Sequence, residues 1–340
     1  MDDPGIAAKL VEALDASFPD GRQDLRPVHT FGIGATGFFE ASDVARDYSI
    51  AEHFQGQQIR IVARFSNGSG SGVQHDGWSD VRGLAIRFQL ANGAAADLIA
   101  MTLNEFFTPT VETFLKFSPA TIPIAAERES AWLKIFDMLR LMLPMDDPYP
   151  GQKTEAVTGA LKFADKHSYA QLPVFQAGAL GAPVSYARAT YHAVHTFVVV
   201  GPDGLRRPVR FTWQPVSGVL TTDRTSPPSD KYLQQELCDR LAKGPARFIL
   251  MMTIGEIGDD FDDPSRPWPP HRVRVVMGTL TLDAVPDDQV ANGELLSFNP
   301  WRLVPGIEPS DDPILRARRD AYEYSRNRRK APPGCPFSRS

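Results

Sequence analysis

The sequence predicts an α+β protein: a large antiparallel β-barrel with helices packed around it. Three observations carry that class. Seven segments alternate or run apolar over strand-like lengths, with Gly, Pro, Asn and Asp between them. Three other segments carry helical periodicity. The two kinds of segment do not alternate strictly, which disfavours a parallel α/β sheet.

In chain order, the strand-like segments are "QIRIVARFS" (58–66), "GLAIRFQL" (83–90), "ADLIAMT" (96–102), "ATYHAVHTFVVV" (189–200), "RPVRFTWQP" (207–215), "ARFILMMTI" (246–254) and "HRVRVVMGTLTLD" (271–283). Their β-branched and aromatic content favours strands. In "RVRVV" charge alternates with valine, as suits a strand with one wet face. Helical periodicity marks 129–143, then 229–244 with Ser229 as N-cap and Gly244 as stop, then 310–330. In the last, Ser310 or Asp311 can cap, and Pro313 is acceptable only in the first turn.

Length alone would suggest about two domains, but no composition break splits the chain, so one domain over 1–340 is expected. The net charge of −5, with both signs interspersed, argues against bulk nucleic-acid binding. The exception is the basic run Arg316–Lys330. The 2 cysteines, Cys238 and Cys335, form no CxxC pair, which argues against a disulfide scaffold or a thiolate zinc site. No stretch of about 18 apolar residues suggests a membrane span. The N-terminus starts acidic, without the basic and apolar regions of a secretory signal, so a cytoplasmic location is expected.

Two places invite chemistry. "RPVHTFGIGATGFFE" (26–40) sets an arginine and a histidine ahead of glycines and phenylalanines. It reads either as a turn with a surface histidine or as a pocket imidazole. Near the C-terminus, Arg318 and Tyr322 are four apart and share a helix face. A guanidinium there favours the phenolate, a hard anionic ligand that ferric haem accepts. Alone, the pair reads most simply as a surface contact.

The stretch "FNPWRLVPGIEPSDDPILRARRDAYEYSRNRR" (298–329) resembles the proximal haem segment of catalases, in which an F-[DN]-P…PGI block leads into R-x-x-x-Y and a further arginine. "RPVH" is similar to that family's distal segment, "RFSNGSGSG" (64–72) to its R-F-S block, and "DVRGLAIRF" (80–88) to its D-x-R-G strand. "AVHTF" (193–197) and "VMGTLTLD" (276–283) match later strands. The blocks fall in family order over about 22–330, and the sequence is identified as a compact member of the haem catalase family.

The resemblance implies roles. His29 is the distal acid–base imidazole, and Ser66 fixes its tautomer. Arg26, Arg64 and Arg329 bind haem propionates. Tyr322 is the iron ligand, with Arg318 as its charge partner. Val28, Phe106, Phe114 and Phe298 wall the haem and its distal cavity, although plain packing is the reading without the family match. His195 matches a proximal position, and a satisfied core histidine reads almost as well. His53, His75, His167 and His271 match nothing functional and are expected on the surface or in loops.

One departure stands out. The family's distal asparagine falls on Met101 in "DLIAMTLNEFF" (97–107), and Asn104 lies too far along to replace it. Methionine has no N–H, so the pocket loses a donor and becomes more apolar. The expected cofactor is haem b. The expected activity is a peroxidase reducing hydrogen peroxide or organic hydroperoxides with an external reducing co-substrate, and with weak catalase activity. A hydroperoxide-rearranging enzyme like the allene oxide synthases, or a non-enzymatic haem-binding protein, are the alternatives. Relative to large catalases the sequence shows neither a long N-terminal arm nor an extra C-terminal domain. That leaves a homo-oligomer possible and the family tetramer in doubt, along with a bound nicotinamide cofactor.

Overall fold

Eight antiparallel strands close into a barrel: β1 (Gly32–Ala41), β2 (Gln58–Asn67), β3 (Arg82–Gln89), β4 (Ala95–Met101), β5 (Tyr191–Val200), β6 (Arg206–Pro215), β7 (Ala246–Ile254) and β8 (Arg274–Ala284). The computed structural model describes residues 4–18, 25–72, 74–121, 139, 159–223 and 228–329. Each strand pairs with the next, and β8 returns to β1. β4 meets β5 only at Met101↔His192. A short ninth strand, β9 (Ile307–Pro309), pairs with β5 farther along, at Phe197–Val199.

All seven strand-like segments are strands here, with ends shifted by a few residues. The eighth, β1, lies in the stretch first singled out for its histidine. Its three glycines, Gly32, Gly34 and Gly37, dilute the strand signal.

Strand alternation divides the molecule into two faces. On β2, Ile61, Ala63 and Phe65 point into the core, and so do Leu84, Ile86 and Phe88 on β3. Phe211 and Trp213 on β6 and Phe248 and Leu250 on β7 meet them. Phe39 sits among these edge-on to Phe88, with centroids 5.3 Å apart. The intervening residues Arg64, Ser66, Gly83, Ala85, Ile99 and Met101 face outward, and there they border a cavity.

His53 corrects the surface expectation. It is 2% exposed and stacks on Phe88 at 4.4 Å between centroids. Burial pushes its pKa down to about 3. His75 and His167 are half-buried and His271 is exposed.

The helix expected over 129–143 lies outside the described residues apart from Leu139. The helix expected from Ser229 runs Tyr232–Lys243. Ser229 does not cap it, because Lys231 turns left-handed at φ 59°. Asp76 caps it from a distance instead, its Oδ2 accepting from the Leu233 N–H at 2.9 Å. Gly244 ends the helix. In the C-terminal helix, Pro313–Arg328, the cap is Asp312, one residue beyond Asp311 and two beyond Ser310. Its Oδ1 accepts from the N–H groups of Ile314 and Leu315, at 2.7 and 3.1 Å. Pro313 takes the first helical position, where its missing N–H costs nothing. A further helix, Pro4–Ala16, packs against this one. Among the described residues no helix is long and apolar enough to cross a membrane.

Candidate active site

A cavity of about 200 Å³ lies between the outer face of β2–β5 and the two terminal helices. One wall is a single row across neighbouring strands. Register pairs Ser66 with Gly83, Gly83 with Met101, and Met101 with His192. The opposite wall is one face of the C-terminal helix, where Arg318, Tyr322, Ser325 and Arg329 recur at helical spacing.

His29 borders the cavity just ahead of β1, in the left-handed region at φ 54°. Such a conformation is uncommon for a non-glycine residue and persists only when neighbours enforce it. Here both backbone groups are held. The His29 N–H donates to Gly68 O at 3.0 Å, and Arg64 Nη1 donates to His29 O at 2.9 Å. Its ring rests on Gly83, where a Cβ would come within 2.8 Å of Nδ1. That nitrogen lies 3.0 Å from Ser66 Oγ. Burial first, then Arg64, Arg318 and Arg26, push the imidazole pKa down to about 3. His29 is therefore neutral at pH 7.

Facing it, Arg318 Nη2 donates to Tyr322 Oη at 2.5 Å. Arg318 Nη1 lies 2.6 Å from His195 Nε2, and His195 Nδ1 lies 2.6 Å from Asp312 Oδ2. A guanidinium only donates, so Nε2 accepts and the imidazole proton sits on Nδ1, directed at the carboxylate. His195 is thus a buried link behind the cavity wall. Phe114 also sits behind the wall, packed on Phe106 at 5.4 Å. The other eleven predicted residues line the cavity: Arg26, Val28, His29, Arg64, Ser66, Met101, Phe106, Phe298, Arg318, Tyr322 and Arg329. Asn104 is exposed and does not reach it.

Arg26, Arg64 and Arg329 gather at one end around Glu294. Its Oε2 accepts from Arg26 at 2.8 Å, its Oε1 from Arg64 at 2.9 Å, and its backbone O from Arg329 at 2.9 Å. Burial alone would raise the pKa of this carboxyl, but Arg64 and Arg26 hold it below the ordinary value. Three guanidiniums and one carboxylate leave that end of the cavity with two net positive charges.

Among the described residues, the other arginines of the basic run are paired within the chain. Arg316 pairs with Asp311, Arg319 with Asp320, Arg326 with Glu323 and Arg328 with Asp15. Among the described residues no cluster of three or more His, Cys, Asp or Glu could hold a metal ion.

The Catalase family profile matches residues 8–142 and 158–333. The chain belongs to the catalase family. A catalase-related peroxidase of Mycolicibacterium paratuberculosis is 31% identical over 318 residues, covering 92% of each chain. A catalase-related peroxidase of Synechococcus elongatus is 29% identical, over 88% of this chain and 82% of its own. Catalase-2 of Bacillus subtilis is 28% identical, over 87% of this chain but 42% of its own. Among solved structures, a fungal catalase crystal structure superposes with a TM-score of 0.69 at 21% identity, over 92% of this chain and 60% of that one. At that identity the likeness speaks for the fold.

Motif matching in this catalase-family chain passes over several residues that line the cavity or support its lining. Glu294 carries no local signal, because its value lies in three arginines from distant segments. His192 lies three residues before His195 and is reached only through the β4–β5 register. Val11 and Leu14 enter from the N-terminal helix.

Proposed function

We propose that this chain is a haem peroxidase of the catalase family that reduces hydrogen peroxide or organic hydroperoxides using an external reducing co-substrate. One observation carries the reading: the His29–Ser66 pair and the Arg318–Tyr322 pair face the same cavity. The donor set fits haem b. Two positive charges at the Arg26, Arg64, Arg329 and Glu294 end match two propionates, and Tyr322 Oη, backed by Arg318, suits a ferric ion. When bound, that group supplies the redox change of peroxide cleavage.

His29 moves the proton. With Nδ1–H donated to Ser66 Oγ, Nε2 keeps a lone pair and takes the hydroperoxide proton. The protonated ring then returns that proton to the departing oxygen. Arg318 would balance the charge on Tyr322 Oη as an iron ligand, and His195 and Asp312 hold Arg318 in place. Met101 offers the peroxide no N–H, so ordering a second peroxide molecule is disfavoured relative to oxidising a different donor.

The test is to load the purified protein with haem and follow oxygen release and donor oxidation with hydrogen peroxide, with and without an aromatic amine. Donor oxidation should exceed oxygen release. Tyr322→Phe should lose haem or change the ferric spectrum. An unchanged spectrum at full haem content would remove Tyr322 as the ligand.

A further inference from the structure

His192 is a second imidazole on the cavity wall, and the peroxide chemistry assigned to His29 does not use it. It stands in the same outward row as Ser66, Gly83 and Met101, directly across from Met101. Its other cross-strand neighbour is Thr212, whose Oγ1 lies 3.2 Å from His192 Nδ1. Thr212 therefore holds one ring nitrogen, and Nε2 has no partner among the described residues. Burial, and then Arg274, push the ring pKa down to about 4, so it is neutral at pH 7 and can donate or accept.

Distance decides what it meets. Two strand spacings of ~4.8 Å separate His192 from Gly83, on which His29 rests, a span of roughly 10 Å. That backbone span exceeds the length of a peroxide and leaves His192 a stretch of wall of its own beside Met101. The surface between them is the Met101 side chain, whose thioether packs well against aromatic rings.

We propose that Met101 and His192, the latter anchored by Thr212, form the binding subsite for the reducing co-substrate, an aromatic ring bearing an O–H. The ring lies against the Met101 thioether, and the hydroxyl pairs with His192 Nε2. A phenolic O–H both donates and accepts, so it satisfies either tautomer that Thr212 selects. The proposal rests on the peroxidase reading for the ligand's role, but its binding can be tested without peroxide.

The test uses ferric haem-loaded protein titrated with 4-methylphenol and with its O-methyl ether, following the haem absorption. The parent should bind the phenol more tightly than the ether. His192→Phe should weaken the phenol about two- to tenfold, the scale of one hydrogen bond, and leave the ether unchanged. His192→Gln, which keeps a polar group, should restore much of the loss, and Thr212→Val should lose part of it. A His192→Phe protein that binds the phenol as tightly as the parent at equal haem content would overturn the subsite. So would a parent with no preference for the phenol, a measurement that needs no variant to fold. If donor oxidation proceeds while these affinities ignore His192, the subsite fails and the peroxidase reading stands. If phenol binding depends on His192 but no donor is oxidised, the subsite stands and the peroxidase reading fails.

Discussion

Gly83→Ala adds one methyl group at the most crowded point of the cavity wall. Gly83 lies in β3 and not in the left-handed region, so alanine meets no backbone strain there. Its whole effect must come from contacts. The new Cβ would lie 2.8 Å from His29 Nδ1, 2.9 Å from His29 Cε1 and 2.9 Å from Ser66 Oγ. Ordinary contacts are several tenths of an ångström longer, so the imidazole must retreat by about half an ångström. That movement opposes a hydrogen bond of 3.0 Å to Ser66 and a backbone fixed at both His29 N and O. Overpacking of this kind costs about 1–3 kcal/mol. Displacing a proton-transfer group by up to 1 Å costs up to about 100-fold in rate. Stopped-flow mixing of haem-loaded protein with peroxide should show the first spectral change slowed by about 10- to 100-fold. His29→Ala should slow it by about 10²–10⁴-fold, remove the two ring contacts and free the Ser66 hydroxyl to rotate away from the third, so adding Gly83→Ala to that background should cost little more in rate or stability. A Gly83→Ala penalty that persists undiminished without the imidazole would refute the reasoning.

Met101→Asn restores an N–H beside His29, and oxygen release relative to donor oxidation should rise a few-fold up to about tenfold, measured side by side at equal haem content. Glu294→Gln leaves Arg26 and Arg64 facing each other without their shared carboxylate. Urea unfolding of the haem-free protein should show a loss of about 3 kcal/mol, and the haem-loaded protein should lose less. An equal loss in both would count against propionates at those arginines. His53 sets an acid limit: its folded pKa of about 3 lies below the unfolded value of ~6.5, so the unfolded chain binds one more proton between them. Stability from this group is full above pH ~6.5 and falls by about 1.4 kcal/mol per pH unit as pH drops toward 3. His53→Phe keeps the ring stack, and the unfolding free energy from urea titrations between pH 6 and 4 should fall less steeply by that amount; parallel slopes would refute it.

The barrel was legible because the period-2 signal is written wherever one strand face meets a continuous core. It faded in β1, where glycines replace the β-branched residues that advertise a strand. The cap at Asp312 is not singled out by sequence because Ser310, Asp311 and Asp312 all offer a side-chain acceptor, and of the three Asp312 is the one that also meets His195. His53 looked like a loop residue because nothing near it in sequence announces Phe88. Ordered motifs named the residues that face the cavity from family-matching blocks, but cross-strand neighbours such as Gly83, Met101 and His192 become a row only through register. Sequence spacing does not encode that register.

Asp312 divides its two oxygens between different tasks, and this ties the chemistry to a length. Oδ1 starts the C-terminal helix, while Oδ2 holds His195 on β5. The helix is therefore pinned to the barrel at its first turn, and Tyr322 sits ten residues beyond the pin, roughly 15 Å along the axis at 1.5 Å per residue. Over that lever one inserted residue before Tyr322 would swing the phenol by about 100° and carry it off the cavity face. The spacing from Asp312 through Arg318 to Tyr322 acts as a ruler: side chains along it can be exchanged one at a time, but its count cannot change.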